Sequence, residues 1–278
     1  MKGCKTVSTF LILICCMSIC GCGKQGNFPE LSPLGNVYSI SREEGSGTRE
    51  EFEHMVNTKE EGRSHLCMST TEVVETVAGN NSSIGYIAFS SLSDDSVKCL
   101  QINKVSATEE TIENGKYALC RNYYLAYNGE LTDLQRDFLA FITSSGQSVV
   151  DEYCVPVKKS GTFLSDKSQG TITLNGSSSM ENMMKGLIEK YKEYNPNAQI
   201  IMNVTDSSTG LNAAIGGECD FAMSSRELKD YEEELLTTKT IAKDGIVIVV
   251  HKENPLESIT VKQLKKIYDT VDISWDKL

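Results

Sequence analysis

Two serine- and glycine-rich segments, residues 41–52 (SREEGSGTREEF) and 173–184 (TLNGSSSMENMM), each follow an apolar stretch and open a helical pattern. A helix start carries unpaired backbone N–H groups and a partial positive charge. Hydroxyl residues placed there seat a tetrahedral oxyanion. Residues 206–210 (DSSTG) form a third small-residue turn ahead of a helix. These segments predict hydrogen-bond donation to a phosphate-like anion rather than bond cleavage. No P-loop, H-E-x-x-H or G-x-S-x-G pattern occurs. A serine acyl enzyme is the weaker alternative: Ser274 and Lys277 fit S-x-x-K, and Lys159-Ser160-Gly161 resembles K-T-G. Their order is wrong for that chemistry, and the S-D-N element is missing. His54, His65 and His251 have no ligand spacing, so no metal, cofactor or catalytic residue is expected.

The elements around these segments alternate between strand and helix. Residues 37–40 read as a strand leading into the first turn, and Phe52, Met55 and Val56 share one face of the helix that follows. Ser69 to Glu72 reads as a capping box for a helix bearing Val73, Val74 and Val77, closed by Gly79. Strands are expected at 84–89 and 117–127, and Thr132 with Gln135 caps a helix carrying Leu134, Phe138, Phe141 and Ile142. The polar stretch 158–170 is read as a linker. After it come a strand at 171–174 and a helix whose Met180, Met183, Met184, Leu187, Ile188, Tyr191 and Tyr194 recur at core spacing. Such a methionine stripe packs; it is given no ligand role. Strands at 199–204, 221–223 and 246–250 follow, with helices at 211–215 and after Thr260, which Gln263 completes as a cap. This alternation indicates an α/β fold with largely parallel sheets.

The chain has 278 residues, 40% of them hydrophobic, enough for two ordinary cores. A net charge of −11 without a basic run argues against nucleic acid. It does not argue against a small anion, because surface charge is screened over about 10 Å while a buried site is governed by its own donors. Residues 1–22 read as a secretory signal: Lys2 and Lys5 precede an apolar stretch at 10–19 that falls short of the ~20 residues a membrane span needs. Ile19-Cys20-Gly21-Cys22 resembles a lipobox, with Cys22 the lipidated residue, and residues 23–35 form a flexible tether. Five of the ten cysteines remain beyond the signal: Cys67, Cys99, Cys120, Cys154 and Cys219. Their odd number and scattered spacing fit neither a zinc site nor a dense disulfide framework, and leave any pairing open.

Taken together, LNGSSSM, DSSTG, CDFAMSSREL, IAKDGIVIVV, HKENP, ITVKQLKKIY, ISWDKL, SREEGSGTREEF, SSIGYIAF and YALCRNYYLAY resemble the phosphate-binding lipoproteins that feed phosphate ABC importers. The matching segments cover nearly all of the mature chain, but their order departs from the family. The usual second half (36–157) comes first and the usual first half (171–278) second, as in a circular permutation. Exposed, neighbouring ends would allow that, and a 13-residue linker at 158–170 reaches at most ~45 Å. The resemblance implies a two-lobed type II periplasmic-binding-protein fold. One lobe would span 119–241, and the other would combine 36–118 with 242–278.

The resemblance further implies inorganic phosphate between the lobes, an ABC permease as partner, and a lipid anchor on the extracytoplasmic face of the cell membrane. A monomer is implied, with a domain-swapped dimer as the alternative assembly. The implied ligand set is Ser178 and Ser179 from one turn, Ser207 from the second, and Ser46, Gly47 and Thr48 from the third, with Arg42 as a planar cation. Ser225 falls at a position that is acidic in some relatives. Selection of phosphate over sulfate requires an acceptor for the proton phosphate still carries. Glu44 is the first candidate and Asp206 the second. Binding of another oxyanion, or sensing without transport, keeps the same fold and is the alternative function.

Overall fold

The computed structural model describes residues 30–59, 62–92 and 95–278. The signal segment, the lipobox and most of the tether lie outside the described residues. Among the described residues the strands are β1 Tyr38–Arg42, β2 His65–Cys67, β3 Ser83–Ala88, β4 Val97–Ile102, β5 Cys120–Tyr127, β6 Val155–Pro156, β7 Gly170–Ser177, β8 Ala198–Thr205, β9 Phe221–Ser224, β10 Thr237–His251 and β11 Ser258–Ile259. The helices are α1 Gly47–Val56, α2 Thr70–Ala78, α3 Glu109–Glu113, α4 Asp133–Ile142, α5 Gln147–Val150, α6 Glu181–Tyr194, α7 Ser207–Ile215, α8 Asp230–Glu233 and α9 Val261–Asp269.

The strand order is β2-β1-β3-β10-β5-β9-β7-β8, with β4 and β6 also on β10, and β11 on β4. Both wings are parallel: β1 lies between β2 and β3, and β7 between β8 and β9. The centre is antiparallel, which the expectation of largely parallel sheets did not anticipate. The cause is β10. It runs 15 residues, pairing with β5 through its first part and with β3 and β4 through its last.

Periodicity along β10 explains its placement. Ile246, Ile248 and Val250 pack with Phe52, Tyr86, Leu264 and Tyr268, while Val247 and Val249 face Ile40, Val73, Val77 and Ile87. A strand covered on both faces reads as an unbroken apolar run, as this one does. A separate core forms on the other wing from Tyr123, Leu125, Phe138, Phe141, Leu174, Leu187, Tyr191 and Phe221. Met180, Met183 and Met184 are buried there, which is the packing role their spacing predicts.

Local signals place the helices. Thr132 with Gln135, and Thr260 with Gln263, form reciprocal capping boxes. At α2 the box is only half made: Ser69 accepts from the Glu72 N–H, but the Glu72 carboxylate takes the N–H of Met68 instead of returning to Ser69. Phe52 stacks on Tyr86 with ring centroids 4.0 Å apart and meets Tyr268 edge-on at 4.8 Å. That aromatic anchor fixes α1, and with it the turn that opens α1. The ends of the folded region meet: the N–H of Val37 donates to Ile273, and that of Trp275 donates to Gly35.

Candidate functional site

Three helix starts converge where the two wings meet. From the first wing, Ser46 caps α1, its Oγ accepting from the Arg49 N–H, and Gly45 turns the chain at φ +88°. From the second wing, β7 ends in the Ser177-Ser178-Ser179 turn before α6, and Asp206 caps α7 by accepting from the N–H and hydroxyl of Thr209. β9 delivers Ser225 beside them. The N–H of Ser208 donates to the Gly45 carbonyl, and the Thr48 and Ser179 hydroxyls lie 2.7 Å apart. Ser177 donates to Ser225 at 2.9 Å, and the Ser207 Oγ accepts from the Ser225 N–H at 3.1 Å. A methyl group at Gly47 would strike the Ser207 Oγ and come within 2.8 Å of the Ser225 Oγ.

The structure therefore brings together Arg42, Ser46, Gly47, Thr48, Ser178, Ser179, Ser207 and Ser225, all buried. The cluster is built from hydroxyls and backbone N–H groups at helix starts, which suits a desolvated anion. The topology explains why: β1 and β3 run opposite to β7 and β9, and the strands of each wing end toward the middle of β10, so the C-terminal ends of β1, β7 and β9 face one another where the wings meet.

Two buried ion pairs accompany the hydroxyls. Arg42, 2% exposed, gives Nε and Nη2 to the two oxygens of Glu43 at 2.7 and 2.6 Å, and its Nη2 also reaches the Ser178 Oγ at 3.1 Å. Nη1 of Arg42 reaches Thr70. Beneath Thr48, Arg121 pairs with Asp244, and Asp244 also accepts from the Ser90 N–H. Arg121 donates from Nη1 to the Thr48 Oγ1 at 2.8 Å and to the Ser225 carbonyl at 3.2 Å. Burial opposes its charge, but the Tyr123 oxygen and the Asp244 carboxylate outweigh that and hold its pKa above the ordinary arginine value. Tyr123 is pushed well up, first by burial and then by Asp244, so its hydroxyl stays protonated.

The two candidate proton acceptors are not the carboxylates that face the cluster. Glu44 is exposed on the turn, because the residue beyond the buried end of β1 that turns inward is Glu43. Asp206 caps α7 and is only half-buried, unlike Glu43. Sequence reasoning passed over Arg121 and Asp244 as well. Their signal was present: a lone cation in YALCRNYYLAY, and a lone acid in IAKDGIVIVV next to the unbroken apolar run.

Around the rim, Arg226 is held by the buried Glu232 and meets Glu50 of α1 at 3.1 Å, which Lys229 also reaches. Arg49 pairs with Glu53. Ser274, of the S-x-x-K pattern, bonds to Asp276 and the Gly35 carbonyl, while Lys277 pairs with Asp276. Among the described residues no group of three His, Cys, Asp or Glu side chains could hold a metal ion, and Cys67, Cys99, Cys120, Cys154 and Cys219 are free thiols.

Residues 30–145 and 161–277 match the family model of a PBP superfamily domain. The phosphate-binding protein PstS 2 of Streptococcus pneumoniae serotype 4 is 33% identical over 291 residues, covering all of both chains. PstS 2 of Streptococcus agalactiae serotype V is 34% identical over 275 residues, covering 94% of this chain and 92% of its own. Among solved structures, a phosphate-binding protein of a phosphate ABC transporter from Streptococcus pneumoniae TIGR4 superposes with a TM-score of 0.70 at 34% identity. It covers 87% of this chain and 99% of its own.

Proposed function

Because this chain belongs to the PBP superfamily and, within it, to the family of the PstS phosphate-binding proteins, we infer that it captures inorganic phosphate and delivers it to an ABC importer. The observation that carries this reading is the convergence of three helix starts from both wings on one buried cluster of hydroxyls and N–H groups. Phosphate would be held by Ser46, Gly47 and Thr48 on one side and by Ser178, Ser179, Ser207 and Ser225 on the other, with Arg42 as its cation. No step of bond cleavage is required of these residues; the protein is a solute binder rather than an enzyme.

The acceptor we assign to the ligand's proton is Glu43. It is buried, and Arg42 links it to Ser178, so an anion docking there has a carboxylate for its neighbour. An anion that carries a proton can donate to Glu43; fully deprotonated sulfate meets it lone pair to lone pair. Leaving such a buried pair mismatched costs about 1–3 kcal/mol.

The functional unit we propose is a monomer of two lobes, 119–241 and 36–118 with 242–278, joined by β5 and β10 and tethered through lipid on Cys22 outside the membrane. Among the described residues, no helix is long and apolar enough to cross a membrane. The permuted order is supported by the meeting of Gly35 and Val37 with Trp275 and Ile273, where a continuous chain would have run in the unpermuted arrangement. Calorimetry on the chain beginning at residue 23, titrated with phosphate, sulfate and molybdate, tests the reading. One phosphate bound per monomer, with sulfate far weaker, is the expected result; no heat with phosphate would refute it.

A further inference from the structure

We propose that Arg121 is a positioning residue for the anion, acting through Thr48: its charge turns the Thr48–Ser179 hydroxyl pair into a strong hydrogen donor aimed at the ligand. This rests on the phosphate-binding reading above. Arg121 sits on β5, one of the two strands that join the wings, and spans the base of the site. Its guanidinium bonds Asp244 on β10, Thr48 of α1, the carbonyl of Ser225 after β9, and the Tyr123 hydroxyl.

The chemistry follows from the hydroxyl inventory. A guanidinium only donates, so the Thr48 Oγ1 must accept from Arg121. Thr48 and Ser179 have two O–H groups between them and spend one on each other. The other O–H is left for the ligand. A hydroxyl that accepts a charge-assisted bond donates more strongly through its own proton. Arg121 also anchors the Ser225 carbonyl, which leaves the Ser225 hydroxyl and N–H to the serine cluster. Asp244 balances the buried charge, so Arg121 polarises the site without itself attracting anions over long range.

A double-mutant cycle read by phosphate calorimetry tests this. Because Arg121→Met alone strands Asp244, the variant is Arg121→Met with Asp244→Asn, measured with and without Thr48→Val. Losing a hydrogen bond of this class should weaken phosphate on the order of 10- to 100-fold when Thr48 is intact. With Thr48→Val already present, the same change should cost less than about 2-fold, since neighbouring groups are not additive. Arg121→Lys, which keeps the charge and one donor, should recover part of the affinity. Equal losses in both backgrounds, or none in either, overturn the proposal. A second readout needs no variant: the guanidinium N–H resonances of Arg121 in the wild-type chain should shift when phosphate is added. Phosphate binding with unmoved resonances overturns the proposal, whereas a wild type that binds no phosphate refutes the functional reading instead.

Discussion

Gly47→Ala separates closing from folding. Gly47 is the first residue of α1, and an added methyl would strike the Ser207 Oγ and sit 2.8 Å from the Ser225 Oγ, both on the opposite wall. These serines are fully buried and tied to one another, so they cannot swing aside. Crowding of this kind costs about 1–3 kcal/mol, which corresponds to roughly 5- to 150-fold in a dissociation constant. The same substitution removes a flexible residue from a helix, which favours the folded chain by up to about 1 kcal/mol. The two effects have opposite signs in the two assays. Calorimetry should show weaker phosphate binding, while thermal unfolding without phosphate should show an unchanged or raised midpoint. Wild-type affinity in Gly47→Ala would refute the convergence of α1 and α7 on one ligand.

Glu43→Gln should erode the preference for phosphate over sulfate by about 10-fold, the effect of one mispaired buried group; unchanged sulfate binding in competition calorimetry would count against Glu43. Arg42→Ala should weaken both anions, because the ligand's cation is gone, and equal titration curves would remove Arg42 from the site. Glu50→Ala breaks contacts from Arg226, Lys229 and Ser208 across the rim, so phosphate should leave faster in stopped-flow release while the unfolding midpoint stays within about 2 °C. For Glu232, burial alone would raise the pKa, but the Arg226 fork outweighs it and holds the carboxyl below its ordinary 4.5. Its stabilisation is therefore present above that value and lost as pH falls through the depressed one. Wild type should melt well above Glu232→Gln at pH 7, and the gap should close in acid; a gap independent of pH would contradict the pairing.

Much of the site was legible because its signals are local. A small-residue turn before a helical period specifies a helix start wherever the rest of the chain goes, and all three such turns lie in the cluster. The caps at Thr132 and Thr260 were legible for the same reason. What escaped depends on partners distant in sequence. The first half of β10 begins with a polar, exposed run at residues 237–239, so only its apolar second half stood out as strand. Whether Glu43 or Glu44 turns inward depends on where β1 ends, and that is set by its pairing with β2. Arg121 and Asp244 lie 123 positions apart and meet only because β5 and β10 are antiparallel neighbours.

The clip between Gly35 and Trp275 has a mechanical consequence. Gly35 and Trp275 lie together on one jaw, so the lipid tether proposed above would hold that jaw. The other jaw, joined to it through β5 and β10, would then be the one to swing. A fluorescent label on α6 should therefore report opening more faithfully than one on α9, which would ride with the proposed anchored side.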